Sequence, residues 1–342
     1  MESWSSLLNN LESDEIESIF LSTCDRRLNH ASETTDPPSE LPRHDSAISG
    51  VPAEKDTSTK LLRPRSDEAS SSHTDATIAC SNEQPSQNDF DNAVWVSMKQ
   101  NGITQYWVPR YTSSSHNNTA ESARILQTPG LKATANPHNT HKGCTAVDLS
   151  AGNGSFAFSY AAAGVQKVLC WDANPWSIEG LRRGAVRNKW NIQVHHGDQT
   201  EGKAVKVHSR TRLVAFVESG DKAAARIHDL RRSLPPVRHV QCGVLPASGN
   251  FLATAAAALD PRLGGWIHVH QTFRMEEVFC GANKTRADVE TIVERLDRKR
   301  GYLTDVEGTP RKPVMQHVQR VGSYCPGTFH CVVDIHIPPI RI

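Results

Sequence analysis

Residues 147–176 read VDLSAGNGSFAFSYAAAGVQKVLCWDANPW, and this stretch decides how the rest of the chain is read. A short apolar run closes on Asp148, two glycines follow at Gly152 and Gly154, and a small-residue helical pattern begins at once. A second apolar run then ends at Asp172. Gly152-Asn-Gly154-Ser-Phe-Ala157 satisfies the G-x-G-x-x-G/A form of a strand-to-helix turn whose backbone approaches a nucleotide-like ligand. Glycine serves there because the chain must turn tightly without a Cβ in the way. A carboxylate at the tip of the next strand, here Asp172, is placed to accept both hydroxyls of a ribose.

An ordinary strand-turn-helix and a nicotinamide-dependent dehydrogenase would both show these features, and three details separate them from a third reading. Asp148 lies within the first strand, where a pyrophosphate would repel it but a sulfonium and an ammonium would be attracted. The sequence HHGD places Asp198 after a third strand-like step, suited to an exocyclic adenine amine. No Arg or Lys follows the glycines to clamp a phosphate. These details favour S-adenosylmethionine, and no hydride-transfer acid/base pair is recognisable.

Outward from this stretch, strands are predicted at 145–149, 167–171, 213–217, 238–242, 266–270, 314–322 and 329–337. Helices are predicted at 155–163, 175–189, 221–232, 250–259 and 284–299. In the last helix, Val289, Ile292, Val293 and Leu296 recur at i, i+3, i+4, i+7. In the final strand Phe329, Cys331, Val333, Ile335 and Ile337 share one face. The alternation implies an α/β fold, a Rossmann-like doubly wound sheet, ending in an antiparallel pair. Upstream, Asn101-Gly102 between two apolar runs predicts a hairpin within 93–111. The segments 113–122 and 128–142 read as loops.

The 342 residues carry a formal net charge of +1, which hides an asymmetry: residues 1–91 hold 18 acidic and 7 basic side chains, the remainder 19 and 31. A basic body suits a polyanionic partner. Residues 31–91 lack the apolar content to offset ordering entropy. The expected organisation is a short helical segment over 1–30, a disordered acidic linker over 31–91, a small β-containing lead-in over 92–142 and a cofactor-binding domain over 143–342. The 8 cysteines show no metal-ligand spacing, so reduced thiols and no metal are expected. Neither a signal peptide nor an apolar run of about 18 residues is present, so a cytoplasmic protein with no membrane span is expected.

The segment 147–190, with RHVQCGVLPAS (238–248), LGGWIHVHQTF (263–273), VWVSMKQNGITQYWVPRYT (94–112), AESARIL (120–126) and YCPGTFHCVVDIHI (324–337), resembles the fungal tRNA wybutosine-synthesizing protein 2 family. The resemblance covers roughly residues 93–337 in blocks of the right order. It implies a fold of the class I S-adenosylmethionine-dependent methyltransferase type. It also implies transfer of the cofactor's 3-amino-3-carboxypropyl arm to the tricyclic guanosine derivative beside the anticodon of phenylalanine tRNA. Close relatives of that family methylate guanine N1 of tRNA, and a non-catalytic relative is a further alternative.

On this reading Asp148, Ala151, Gly152 and Gly154 shape the turn against the cofactor, Asp172 holds its ribose and Asp198 its adenine. Asn174 opens the following helix. No catalytic group is singled out; Gln241, standing where the family usually has Asn, and Pro246 are the candidates, in the loop beneath the reacting carbon. Arg124 matches the family's basic residue upstream of the domain, and Arg182, Arg183 and Arg187 offer a basic helix end for RNA backbone. His268 and His270 read as strand residues facing one side, and Trp171, Trp176 and Trp266 as core or pocket walls. The sequence departs from the family where Ser150, Asn153 and Ser155 replace aromatic, aliphatic and aromatic residues, and where SSSHNN (113–118) replaces Met-Phe-Ser-Arg-Gly-Asn.

Overall fold

A computed structural model of the protein describes residues 84–112, 118–136, 143–197, 205–302 and 310–340. The chain forms two units, Met1–Asn82 and Glu83–Ile342, and the fold described is that of the second. The expectations for 1–30 and for 31–83 lie outside the described residues.

The ordered part opens with α1 (Gln87–Asn92), a single helical turn inside the stretch expected to be disordered. A reciprocal capping box forms it: the Ser86 hydroxyl accepts from the Asp89 N–H, and the Asp89 carboxylate accepts from the Ser86 N–H. The predicted hairpin follows as β1 (Val96–Gln100) and β2 (Ile103–Trp107), antiparallel, with Asn101 and Gly102 both at positive φ. Two segments read as loops contain helices instead, α2 (Asn118–Gln127) and α3 (Pro129–Ala135). In α2 the buried side chains are Glu121, Ser122 and Ile125, so apolar periodicity cannot reveal the helix.

Eight strands then build one sheet: β3 (Thr145–Asp148), β4 (Lys167–Asp172), β5 (Ile192–His196), β6 (Leu213–Val217), β7 (Val237–Cys242), β8 (Gly265–Arg274), β9 (Val314–Cys325) and β10 (Thr328–Ile337). Their order is β5-β6-β4-β3-β7-β8-β10-β9. All neighbours are parallel except β10, which runs antiparallel to both β8 and β9. The antiparallel terminal pair is as expected. β5 has no place in the predicted set, because its five residues are only half-buried on the sheet's edge.

Helices α4 (Ala157–Ala162) and α5 (Pro175–Arg187) cover one face with α2 and α3, burying Ala146, Val168, Cys170, Leu213 and Ala215. Helices α6 (Ala223–Leu230), α7 (Leu252–Ala258) and α8 (Val278–Lys299) cover the other, over Val147, Leu169, Trp171, Val214 and Phe216. Successive residues of one strand therefore serve two cores, which is the doubly wound arrangement. The face of β10 carrying Cys331, Val333, Ile335 and Ile337 joins the second core, with Phe329 packed against it. The winding reverses direction beside β3, and that reversal opens a crevice at the carboxyl ends of the strands.

Candidate functional site

The crevice is built around residues 149–156. The Leu149 N–H donates to the Gln241 carbonyl (3.0 Å) and the Ala151 N–H to the Trp171 carbonyl (2.8 Å), so the turn is pinned to β7 on one side and β4 on the other. Gly152 and Gly154 both adopt positive φ, 54° and 97°. A Cβ at Gly154 would lie 2.8 Å from the Phe158 ring, whereas one at Gly152 would project into open space. The first glycine thus faces the crevice and the second allows the helix to close behind it.

Asp172 ties the turn to the next element. One carboxylate oxygen accepts from the Gly152 N–H (2.9 Å), the other from the Asn174 N–H (2.8 Å). Burial raises its pKa, opposed by those two backbone donors. Asn174 caps α5, its side-chain oxygen accepting from the Trp176 N–H (2.9 Å), while its amide nitrogen donates to the Tyr111 carbonyl (2.9 Å). Tyr111 stacks on Trp176 at 4.2 Å, and Phe90 and Trp95 pack around the same indole. Trp176 is therefore the hub of an aromatic cluster joining α1, the hairpin and the crevice rim.

Asp148 is fully buried at the end of β3. One oxygen accepts from the Ser150 N–H (3.3 Å), and the other has no partner. Burial pushes its pKa up to about 7, the Ser150 N–H and, more weakly, the Ala157 N–H opposing and the nearby Asp172 charge adding to it. The side-chain nitrogen of Asn153 is likewise buried without a partner. The Ser155 hydroxyl, by contrast, is used: it donates to the Gln105 side chain on β2 (3.2 Å) or to that of Asn153 (3.3 Å).

Asp198 lies outside the described residues, and β5, which precedes it, is separated from β4 by β6. The strand beside β4 is β6, and its chain continues into Glu218 and the short turn Gly220–Lys222. Glu218 is spent on the Arg226 guanidinium (3.0 Å) and the Trp171 indole N–H (3.2 Å). Trp171 is thereby a core residue. At Gly220 a Cβ would fall 2.2 Å from the Leu149 carbonyl, so this glycine lets the end of β6 pack against the start of the glycine turn. Asp221, exposed in that turn, is an acid that the sequence reading did not single out. The available signal was the strongly apolar LVAFV preceding Gly220-Asp221, against the weakly apolar run before Gly197-Asp198.

Gln241 is fully buried, its amide oxygen accepting from the Tyr160 hydroxyl (2.9 Å) and its amide nitrogen donating to His270. It stands behind the crevice wall rather than in it. Pro246 is exposed, in a loop held by the Thr272 N–H donating to the Pro246 carbonyl (3.0 Å) and by Ser248, whose hydroxyl is bonded to the Cys242 and Val244 carbonyls.

The basic candidates are mostly engaged. The Arg124 guanidinium is bidentate to Glu121 (2.7 Å) and to Asp334 (2.6 and 3.1 Å). Arg182 and Arg183 share Glu179 (2.6 and 2.8 Å), and Arg183 also lies over the Trp95 ring at 4.3 Å. Arg187 is exposed. Arg124 and the α5 pair thus work as internal ties, which spacing could not reveal.

His268 and His270 face one side of the sheet, as expected, within a buried polar layer. His268 joins Asp334 (2.6 Å) and His239 (3.3 Å), and His239 reaches the Thr134 hydroxyl (2.8 Å). His270 meets His330 at 2.8 Å. Trp266 stacks on His239. No group of three or more potential metal ligands occurs among the described residues. The six described cysteines are free, and Cys325 and Cys331 are not opposite one another in the β9–β10 pairing. No helix among the described residues is long and apolar enough to cross a membrane.

No family profile matches the chain. Against curated proteins it is 40% identical over 195 residues to tRNA wybutosine-synthesizing protein 2 of Schizosaccharomyces pombe, covering 57% of this chain and 43% of that protein. It is 26% identical over 269 residues to the protein of the same name in Saccharomyces cerevisiae, covering 75% and 51%. The chain is similar to tRNA wybutosine-synthesizing protein 2 of these two fungi. It spans about half the length of these wybutosine-synthesizing relatives. Among solved structures, TYW2 of Methanocaldococcus jannaschii in complex with AdoMet matches at a TM-score of 0.49 and 17% identity, covering 72% of this chain and 88% of that one. Trm5b of Pyrococcus abyssi matches at 0.49 and 15%, covering 72% and 57%.

Proposed function

We propose that the chain is a cytoplasmic transferase. It moves the 3-amino-3-carboxypropyl group of S-adenosylmethionine onto the tricyclic guanosine derivative, 4-demethylwyosine, beside the anticodon of phenylalanine tRNA, in wybutosine biosynthesis. The observation that carries the cofactor half is the pairing of Asp148, buried with one oxygen unpartnered, with a glycine turn that bears no Lys or Arg. A cationic ligand satisfies the first and a phosphate-free one requires no more than the second. Homology to the wybutosine-synthesizing proteins supports the acceptor half.

When bound, S-adenosylmethionine supplies three electrophilic carbons on one sulfonium, and the carbon held in line with the nucleophile is the one transferred. Asp148 and the Asn153 amide serve the charged amino-acid end of the cofactor. Asp172, already fixed by Gly152 and Asn174, offers its remaining lone pairs to the ribose, and the adenine edge is assigned to Asp221, in the turn that follows the strand beside β4. The exposed loop at Pro246 borders the acceptor, its backbone immobilised by Thr272 and Ser248. Gln241 acts as a positioning residue: Tyr160 and His270 lock it, and its own carbonyl holds the start of the glycine turn.

The test is incubation of the full chain with S-adenosylmethionine and phenylalanine tRNA lacking the side chain, followed by nucleoside and by-product mass analysis. Methylthioadenosine with a gain of the aminocarboxypropyl mass is the expected result. S-adenosylhomocysteine would indicate methyl transfer to guanine N1 instead. Unchanged nucleosides, where a wybutosine-synthesizing protein 2 succeeds, would remove the assignment.

A further inference from the structure

At the opposite end of the sheet from the crevice, where β7 begins, lies a cavity of about 380 Å³ walled by Arg231, Arg232, Pro235, Pro236, Arg262 and Leu263. Three arginines line it. Arg231 turns inward and donates to the Ala257, Ala258 and Leu259 carbonyls at the end of α7, so it is a structural cap. Arg232 and Arg262 are exposed, and neither has an ion-pair partner among the described residues. Asp260 is the one acid lining the cavity. A single carboxylate oxygen of it accepts the Arg262 and Leu263 backbone N–H groups (2.9 and 3.2 Å), which fold the loop. Asp229, two residues from Arg231, is exposed and pairs with His228 at 3.4 Å.

The basic end of α5 differs from this cleft. The basic helix end there is largely neutralised, with Arg182 and Arg183 held by Glu179. A polyanion therefore finds less free charge on α5 than its sequence suggests, and two further guanidinium groups without an ion pair at the start of β7. We propose that the Arg232–Arg262 cleft docks the phosphodiester backbone of RNA, a contact remote from the reacting base. Rigid Pro235 and Pro236 keep the cleft open at low entropic cost, and planar guanidinium forks match phosphate oxygens. β7 spans six residues, so the cleft stands about 20 Å from the crevice. RNA with its target base in the crevice reaches the cleft only through nucleotides well removed from that base. The cleft thus reads the body of the molecule and not the base. This inference rests on the tRNA reading of the crevice.

The experiment measures binding of unmodified phenylalanine tRNA to the full chain by fluorescence anisotropy across a salt series. It compares the wild type with Arg232→Glu/Arg262→Glu and with the milder Arg232→Ala/Arg262→Ala. The expected result is a loss of at least about tenfold in affinity for the charge reversal. The slope of log affinity against log salt should shrink by roughly 1.5–2 in both variants, as two lost phosphate contacts require. The S-adenosylmethionine-induced rise in melting temperature should stay at the wild-type value, confirming an intact crevice. Unchanged affinity and slope, with wild type binding normally, overturn the cleft alone. Wild type that binds no tRNA at any salt overturns the cleft and the tRNA reading together.

Discussion

At Asp148 the chain keeps a carboxyl out of water with half its hydrogen-bonding capacity unused, and the consequence is a pH dependence with a definite sign. Its folded pKa is raised from 3.8 to about 7. Whatever stability the neutral acid contributes is present at low pH and is lost as pH rises towards 7, because the folded protein must then hold a buried anion. Binding runs the other way. A cationic cofactor needs the ionised form, so affinity for S-adenosylmethionine should fall up to about tenfold per pH unit below 7 and level off above it, with proton uptake or release visible by calorimetry in buffers of different ionisation enthalpy. Asp148→Asn should flatten that profile, weaken binding by roughly 1.5–3 kcal/mol and stabilise the free protein at pH 8. A variant with the wild-type pH profile would remove Asp148 from the cofactor's charge. Position in the strand made Asp148 and Asp172 legible. The role of Gln241 was not, because burial behind the wall depends on Tyr160 and His270, 81 residues before it and 29 after it in the chain.

Among the elements, α2 shows most clearly what periodicity leaves out. It packs through Arg124, which joins Glu121 on its own turn to Asp334 on β10, and through the Ser122 hydroxyl, which donates to the Ser155 carbonyl at the crevice (3.0 Å). Burial alone would raise the Asp334 pKa, but the charges and hydrogen bonds of His268 and Arg124 outweigh it and hold the carboxyl well below the usual range. That contribution is present above the unfolded pKa near 3.9 and is lost as pH falls below it. Asp334→Asn should therefore cost roughly 1.5–3 kcal/mol at pH 7, since it removes the charged partner of Arg124 on β10 and leaves only Glu121, and progressively less in acid. Urea titrations at pH 7 and pH 3.5 check this, and an equal loss at both would contradict it. The strands with continuous apolar runs were legible in sequence, as were the glycine turn and the terminal hairpin of the sheet. The helix α3 opened by Pro129 and the polar-faced α2 were not, and the edge strand β5 showed only as a weak strand-like step before Asp198, for their burial is supplied by neighbours that local sequence does not name.

Across the whole molecule, the sheet makes the two cores one cooperative object. Val147 and Ala146 are adjacent in β3 yet face opposite cores, as do Val214 and Ala215 in β6. Losing a side chain from either face should therefore destabilise both. Phe158→Ala on the buried side of α4 and Phe216→Ala on β6 beneath the opposite helices should each cost about 3–5 kcal/mol. Each should lower a single shared melting transition of residues 83–342 instead of splitting it. The crevice reports on this coupling, because its turn hangs from β3, β4 and β7 together. A ligand that binds only the folded state adds RT ln(1 + [L]/Kd), about 2.7 kcal/mol at a hundredfold excess over Kd. S-adenosylmethionine at that excess should raise the melting temperature of the wild type and of both phenylalanine variants by similar amounts, while Asp172→Ala gains little. NAD, which would bring its pyrophosphate against Asp148, should give no rise. Differential scanning calorimetry decides the matter: a rise confined to one of two separate transitions would show that the cores unfold independently. A rise with NAD equal to that with S-adenosylmethionine would show that the turn accepts a dinucleotide after all.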